Sequence, residues 1–200
     1  MSIVASVTLL AIFLATITIH EFSHGLVAYF FGDMTAKNMG RLTLNPLRHI
    51  DFLWTILLPL VLVTVGLPAI GMARPVPVNF ANLRHPKRDM IWVAVAGPIA
   101  NFLLASLMAA LYHKVHWDVL LLGVYFNLGL AMFNILPIPP LDGSRILTGL
   151  LPMNWAYEYV KLEKFGFVVI LILVWLRLPL RVIVPALNFF SQLLQVPPVT

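Results

Sequence analysis

The sequence predicts an all-α polytopic membrane protein with about five to six transmembrane helices, and three observations lead to this fold class. Hydrophobic residues make up 60% of the 200 residues, charged residues only 10%, and the mean hydropathy is +0.93. Several apolar runs reach the roughly 20 residues that a helix needs to cross the hydrocarbon core of a bilayer. The charged residues cluster between these runs. Such a composition excludes an ordinary soluble domain.

The predicted elements follow one another without internal repeats. The predicted spans cover, in order, about residues 3–31, 52–71, 90–112 and 119–136, with one or two further helices between 165 and 196. Between the first two spans, the mixed polar segment 33–51 is predicted to form a short re-entrant loop or a β-hairpin. We expect one domain over residues 1–200, with a catalytic core at about 3–150 and C-terminal helices at about 165–196.

Charge and cysteine content narrow the function classes. The formal net charge is +5, and the basic residues lie mostly in short connections, where such residues usually anchor helix ends at lipid headgroups. We therefore expect the positive charge to face a lipid bilayer and expect no nucleic acid as a partner. The absence of cysteine excludes a thiol nucleophile, a cysteine-ligated metal and disulfide bonds.

The first span contains the motif that carries the chemistry, HEFSH at 20–24. His20 and His24 stand four residues apart, so on a helix they share one face and can bind a single zinc ion. Glu21 then projects beside the metal, where its carboxylate can accept a proton from water that the zinc activates. The alternative is that the two histidines bind no metal and only form hydrogen bonds with neighbouring helices. Burying three ionisable groups in hydrocarbon without a partner costs several kcal/mol, which favours the metal.

A catalytic zinc needs a third protein ligand and an open position for water. Among the remaining carboxylates, Asp142 stands out because it lies in PPLDGSR, where prolines end the fourth span and Gly143 lets the backbone turn. An N-cap or an Asx turn is the alternative role for this aspartate. We predict one Zn²⁺ per chain, held by His20, His24 and Asp142.

Two amides interrupt apolar helices near these residues. Asn101 follows Gly97 and Pro98 by a helical turn, and Asn134 immediately precedes the proline-rich break. They are candidates for holding the substrate backbone or stabilising the oxyanion beside the zinc. Interhelical hydrogen bonding, or pairing with carbonyls that the prolines free, is the alternative for both.

Three motifs together resemble the site-2 protease family of intramembrane metalloproteases. They are HEFSH at 20–24, GPIAN at 97–101 and NILPIPPLDG at 134–143, in the order in which the family carries them. NPLRHID at 45–51 is similar to the compact bacterial and archaeal members, which have no PDZ or CBS domain. The resemblance implies that His20, His24 and Asp142 bind zinc and that Glu21 is the general base. It also implies transmembrane protein substrates and a place in a prokaryotic cell membrane.

The expected function is therefore an intramembrane zinc metalloprotease that hydrolyses peptide bonds within or near transmembrane segments. A noncatalytic zinc-binding scaffold or a membrane metal carrier is the alternative, because it would hold zinc equally well. A carrier should also show ionisable residues staged along a path, whereas this sequence has a single concentrated site. The oligomeric state is not determined by any pattern in the sequence.

Overall fold

The computed structural model describes residues 3–64 and 73–199. Nine α-helices lie within this part of the chain: α1 (Ile3–Phe30), α2 (Thr35–Asn38), α3 (Leu58–Thr64), α4 (Pro86–Val115), α5 (Asp118–Ile135), α6 (Asp142–Leu150), α7 (Met153–Val160), α8 (Glu163–Trp175) and α9 (Leu178–Leu193). A π-helical segment, Phe52–Leu57, leads into α3, and two short 3-10 turns lie at Pro46–Arg48 and Phe80–Asn82.

The all-α prediction is confirmed, because the described residues contain no strand. Within the described part of the chain, three helices are long and apolar enough to cross a membrane, namely α1 from Leu10 onward, α4 and α5. The number rises to four if α8 and α9 count as one bent span. The bend between α8 and α9 is 72°. Five to six spans are not confirmed, and part of the predicted second span, residues 65–72, lies outside the described residues.

The segment between the first two predicted spans is compact and helical rather than extended. Residues 33–51 form α2 and the 3-10 turn at Pro46–Arg48, so the predicted β-hairpin is not confirmed. The polar stretch after the fourth predicted span folds into α6 and α7. Isolated helices of eight or nine residues are marginal in water, so tertiary packing rather than local propensity explains them.

The end of α1 is fixed by a glycine cap. Gly32 has φ +107°, which a residue with a Cβ rarely adopts. The backbone N–H of Gly32 donates to the carbonyl of Tyr29, and that of Asp33 donates to the carbonyl of Ala28 at 2.9 Å. This is the hydrogen-bond pattern of a Schellman motif, and it turns the chain away from the helix axis.

Asp33 connects this turn to a distant segment. Its Oδ2 accepts from the backbone N–H of Asn79 at 2.7 Å, and its Oδ1 accepts from the side chain of Asn82 and from Thr35. Burial alone would raise the pKa of the Asp33 carboxyl, but these hydrogen bonds outweigh burial and hold the pKa below its ordinary value. The carboxylate therefore stabilises the fold most when it is charged.

We expect Asp33→Asn to lower the free energy of unfolding by about 1–3 kcal/mol at neutral pH, because the amide nitrogen would face the N–H of Asn79. The folded pKa is depressed, so the contribution of Asp33 is complete above its unfolded pKa near 3.9 and is lost as pH falls through the folded value. Thermal unfolding in detergent at pH 7 and pH 3 measures this. Asp118→Asn, at an exposed first-turn aspartate, serves as control with an effect of about 0.5 kcal/mol. Equal melting temperatures for Asp33→Asn and the wild type at pH 7 would contradict the assignment.

Helix α4 is central and packs against α1, α5 and α6. Small residues let the helices approach closely: Ala105 and Ala109 of α4 are buried against Val124 and Leu128 of α5. Helix α5 also packs on α9. This arrangement brings the middle of α1 and the middle of α4 together, where the site lies.

An exposed apolar stripe runs along α4. Ile99, Leu103, Leu107 and Leu111 recur every four residues, and 67% of the Leu103 side chain is exposed. Water would be an unfavourable surrounding for so continuous a stripe, whereas lipid chains match it. The stripe therefore agrees with a membrane-embedded fold.

The proline-rich turn between α5 and α6 is held from two sides. A Cβ on Gly143 would overlap the backbone carbonyl of Ile135, so the start of α6 folds directly back onto the end of α5. A Cβ on Gly166 of α8 would overlap the carbonyl of Pro139. Glycine at both positions permits this close packing and fixes where Asp142 begins α6.

Candidate active site

Helix α1 presents two imidazoles on one face. His20 and His24 are both buried, and their Nε2 atoms lie 3.0 Å apart. The i, i+4 spacing produces this arrangement directly, because residues four apart stand one above the other on a helix. The prediction that these two histidines share a face is confirmed.

Asp142 completes a triangle of ligand atoms. Its Oδ2 lies 3.1 Å from Nε2 of His20 and 3.3 Å from Nε2 of His24. Zinc binds imidazole nitrogen and carboxylate oxygen at about 2.0–2.2 Å, which in a tetrahedral site separates the ligand atoms by about 3.3–3.5 Å. The observed triangle is within a few tenths of an ångström of that spacing. Among the described residues, these three form the one group of three or more His, Cys, Asp or Glu that could hold a metal ion.

The far nitrogens of both rings are already engaged. Nδ1 of His24 lies 2.7 Å from the backbone carbonyl of Val93, and Nδ1 of His20 lies 2.5 Å from Oδ1 of Asn101. A carbonyl oxygen only accepts, so each Nδ1 carries the proton and each Nε2 presents a lone pair. Two lone pairs and a carboxylate oxygen that face one another need a cation between them. This donor set fits Zn²⁺.

The alternative role of Asp142 as a helix cap does not agree with the geometry. Asp142 is the first residue of α6, and no side chain caps this helix by a hydrogen bond. Its buried Oδ2 has no hydrogen-bond partner other than the contacts with the two histidines. An unsatisfied buried carboxylate oxygen is costly, and a metal ion in the triangle would satisfy it.

Gly97 of α4 makes room for the two rings. A Cβ there would lie 2.7 Å from Cε1 of His20 and of His24, and closer still to Nε2 of His24. Pro98 follows within the same helix. The GPIAN sequence at 97–101 thus supplies both the space for the imidazoles, at Gly97, and a partner for one of them, at Asn101.

Glu21 borders the ligand triangle from the next position of α1. Its Oε2 accepts a hydrogen bond of 2.7 Å from the backbone N–H of Val76. This bond orients the carboxylate and leaves Oε1 able to accept a proton. Val76 packs tightly on α1, because a Cβ on Gly25 would lie 2.8 Å from its Cγ1.

Residues 73–79 form an extended segment beside the site, and a buried arginine holds it there. Nη2 of Arg41 donates to the carbonyls of Arg74 at 2.9 Å and Pro75 at 3.3 Å. The N–H of Arg74 donates to the carbonyl of His49 at 2.8 Å. Together with Asp33 at Asn79, these bonds position the Val76 N–H at Glu21.

A cavity of about 410 Å³ opens onto the ligand triangle and Glu21. Its wall is mainly apolar and comes from α1, α4, α5, α8 and the extended segment; examples are Phe13, Val78, Phe133 and Ile170. Asn134 lies in this wall, and its amide N–H donates to the carbonyl of Leu130 in its own helix. The cavity therefore joins a mainly apolar wall to the polar ligand triangle.

The two predicted amides occupy different places. Asn134 faces the cavity, whereas Asn101 is fully buried and both of its amide atoms bond within the protein. A role of either amide at the oxyanion stays a prediction. Two further residues of the site were not predicted from the sequence: Asn127, which bonds Asn101, and Val76, which bonds Glu21. The sequence did contain a signal for Asn127, because it too is an amide inside an apolar helix.

A His-His-carboxylate centre with an adjacent glutamate, here set among apolar helices, is typical of zinc metalloproteases. The model of peptidase family M50 matches residues 8–118. This chain belongs to that family, the site-2 proteases, and is a zinc metalloprotease. Asp142 lies beyond the matched segment.

Relatives with curated names agree with this membership. The Bacillus subtilis (strain 168) protein named "Putative zinc metalloprotease YwhC" is 38% identical over 189 residues, which cover 88% of this chain and 83% of that protein. "Putative zinc metalloprotease Rip2" of Mycolicibacterium smegmatis is 28% identical over 190 residues, covering 91% of this chain and 69% of that protein. No solved structure matches the chain.

Proposed function

We propose that this zinc metalloprotease cleaves peptide bonds within or near transmembrane segments of other membrane proteins, with Glu21 as general base. The convergence of His20, His24 and Asp142 beside Glu21, at the wall of an apolar cavity, is the observation that carries the proposal. His20, His24 and Asp142 would hold the zinc ion. Bound there, Zn²⁺ supplies Lewis acidity, which lowers the pKa of water to about 7 and polarises a peptide carbonyl.

Glu21 is suited to move the proton. Its carboxylate follows His20 directly on α1 and lines the same cavity, so its Oε1 can take a proton from the attacking water. The bond from Val76 to Oε2 holds the carboxylate in one orientation during that step. After the attack on the scissile carbonyl, Glu21 can return the proton to the leaving amine.

The surroundings of the cavity support an apolar, membrane-borne substrate. Apolar helices α1, α4 and α5 surround the site, and each is long enough to lie in a bilayer. A substrate helix hides its carbonyls in its own hydrogen bonds, so it must unwind locally before it can be cut. We assign to Asn134 a contact with the unwound backbone, because its amide lies in the cavity wall.

The proposed setting is a prokaryotic cell membrane, with the chain crossing the bilayer several times. Membrane-anchored proteins are the proposed partners, and nucleic acid is not among them. The basic residues just before and in the first turn of α4, Arg84, Lys87 and Arg88, favour this setting because they suit the headgroup region.

Cleavage in proteoliposomes tests the proposal. We expect the purified protein to cut a reporter that carries a single transmembrane helix, and to cut it faster when Gly-Pro replaces two residues at mid-helix, because that helix unwinds more easily. A zinc chelator should abolish cutting, and added Zn²⁺ should restore it. Mass spectrometry of the products locates the cleaved bond.

A soluble reporter with the same flanking sequence serves as control. Cutting of the soluble reporter alone would contradict the intramembrane substrate but leave the metalloprotease intact. A zinc-loaded protein that cuts no member of a panel of membrane reporters would instead favour the zinc-binding scaffold or carrier.

A further inference from the structure

The two histidines of the site are oriented by different kinds of partner. His24 bonds the backbone carbonyl of Val93, which can only accept, so its Nδ1 must carry the proton. His20 bonds the side chain of Asn101, and an amide can present either its oxygen or its nitrogen. The tautomer of His20 therefore depends on what fixes the orientation of Asn101.

Asn127 of α5 is the next group in line. Its Oδ1 accepts a hydrogen bond of 2.8 Å from Nδ2 of Asn101. Its own Nδ2 donates to the backbone carbonyl of Gly123 at 2.8 Å and to Oγ1 of Thr16 at 3.1 Å. The relay Gly123–Asn127–Asn101–His20 runs through side chains that are fully buried at both asparagines.

The direction of this relay is fixed at its far end. The Gly123 carbonyl can only accept, so Asn127 must turn its NH₂ group toward Gly123 and its oxygen toward Asn101. Asn101 must then present its NH₂ group to Asn127 and its oxygen to His20. The same NH₂ group makes a longer contact of 3.4 Å with the carbonyl of Thr16, which favours the same orientation. The side-chain oxygen of Asn101 requires a proton on Nδ1 of His20, which leaves Nε2 deprotonated and directed at Asp142.

We propose that Asn127 is a positioning residue of the metal centre, which sets the His20 tautomer through Asn101. This inference rests on the proposed role of His20 as a zinc ligand. Asn127 makes no hydrogen bond to any of the three ligand residues, and it lies on α5, whereas they lie on α1 and α6. Outer hydrogen-bond partners of a zinc-bound histidine typically change metal affinity by about 10–100-fold when they are lost.

The burial of Asn127 supports a role beyond packing. An amide with no exposed surface in the middle of α5 is retained although an apolar residue would fit a membrane helix better. Neighbouring positions of α5 use Val124, Leu128 and Ala131 for packing. The amide oxygen and the NH₂ group of Asn101 and of Asn127 each face a partner of the opposite hydrogen-bonding kind.

Nitrogen-15 NMR of histidine side chains in micelles reads the tautomers directly. In the zinc-loaded wild type, we expect both His20 and His24 to bind through Nε2 and to carry the proton on Nδ1. In Asn127→Leu, Nδ2 of Asn101 keeps only its longer contact of 3.4 Å with the carbonyl of Thr16, so Asn101 can turn its NH₂ group toward His20. The Nδ1 resonance of His20 should then shift or divide, while that of His24 stays at its wild-type position. The zinc affinity of Asn127→Leu, measured by chelator competition, should fall by about 10–100-fold.

The variant Asn127→Asp keeps the size of the side chain and tests whether the direction of the hydrogen bonds in the relay is what matters. A buried aspartate beside a carbonyl is expected to be protonated, so that its hydroxyl donates to Gly123 and its other oxygen accepts from Asn101, and the relay keeps its direction. We expect the His20 tautomer of the wild type and a zinc affinity within about threefold of it, which a purely structural role would not predict. Thr18→Val is the matched control: this buried hydroxyl of α1 has no hydrogen-bond partner, and both readouts should stay at wild-type values.

A zinc-loaded wild type in which Nδ1 of His20 carries no proton overturns the proposal even if Asn127→Leu fails to fold. So does a folded, zinc-loaded Asn127→Leu with an unchanged His20 resonance and unchanged zinc affinity. Failure of the proposed function looks different: the relay and the zinc affinity would behave as expected, and membrane reporters would remain uncut. If His20→Ala keeps wild-type zinc affinity, the ligand assignment itself fails.

Discussion

Replacing Glu21 by glutamine is expected to lower kcat on a transmembrane reporter by about 10²- to 10⁴-fold, the range that a general base contributes. Glutamine has the same shape, and its carbonyl oxygen can still accept from the Val76 N–H, so the extended segment should stay in place. It cannot take a proton from water. Turnover in proteoliposomes and zinc content by atomic absorption, measured on the same preparation, test this expectation.

Glu158→Gln provides the matched control, because Glu158 lies exposed on α7 and pairs with Lys161 at the surface. Its turnover and zinc content should equal those of the wild type. A zinc-loaded Glu21→Gln protein that cuts at the wild-type rate would remove Glu21 from the mechanism. If Glu21→Gln loses zinc as well, the glutamate holds the centre together, and loss of turnover says nothing about proton transfer.

Gly97→Ala should disable the centre by a different route. The new methyl group would lie 2.7 Å from Cε1 of both histidines, and the rings cannot simply swing away, since Val93 and Asn101 hold their Nδ1 atoms. Relief requires a displacement of roughly 1 Å, and misplacement of that size costs about 10²-fold in rate. We expect kcat/KM to fall at least that far, together with zinc affinity.

Gly129→Ala is the matched control for this change. Gly129 lies within α5, and a Cβ there would meet nothing within 4 Å. Alanine favours a helix by about 1 kcal/mol over glycine, so the control should melt no earlier than the wild type and keep its zinc. Normal zinc affinity in Gly97→Ala would show that the histidines tolerate displacement.

The parts of the site that follow from local geometry were predictable from the sequence. The spacing of His20 and His24 fixes their common face on any helix, whatever the rest of the fold does. Asp142 was predictable because prolines must end α5 just before it, and an aspartate at such a break has few roles. The all-α fold class followed from composition and from the length of the apolar runs.

The partners of these residues were not predictable, because they depend on how helices pack. The bond from Asn101 to His20 requires α1 and α4 to meet at one depth and rotation, which no single-helix pattern encodes. The bond from Val76 to Glu21 requires a loop to return to α1. The helices α6 and α7 were not predicted, because both are short and depend on packing, α6 on α4 and α7 on α6.

The proposed ligands of the metal centre are divided between α1, which carries His20 and His24, and the first residue of α6, Asp142. During synthesis the ribosome releases α1 long before α5 and α6, so a partly inserted nascent chain carries His20 and His24 without Asp142. Asn127, which sits on α5, is missing from that intermediate too. With the proposed ligands, we expect metal loading to be a late event of biogenesis, and chains that stall or are truncated before α6 to be proteolytically inert.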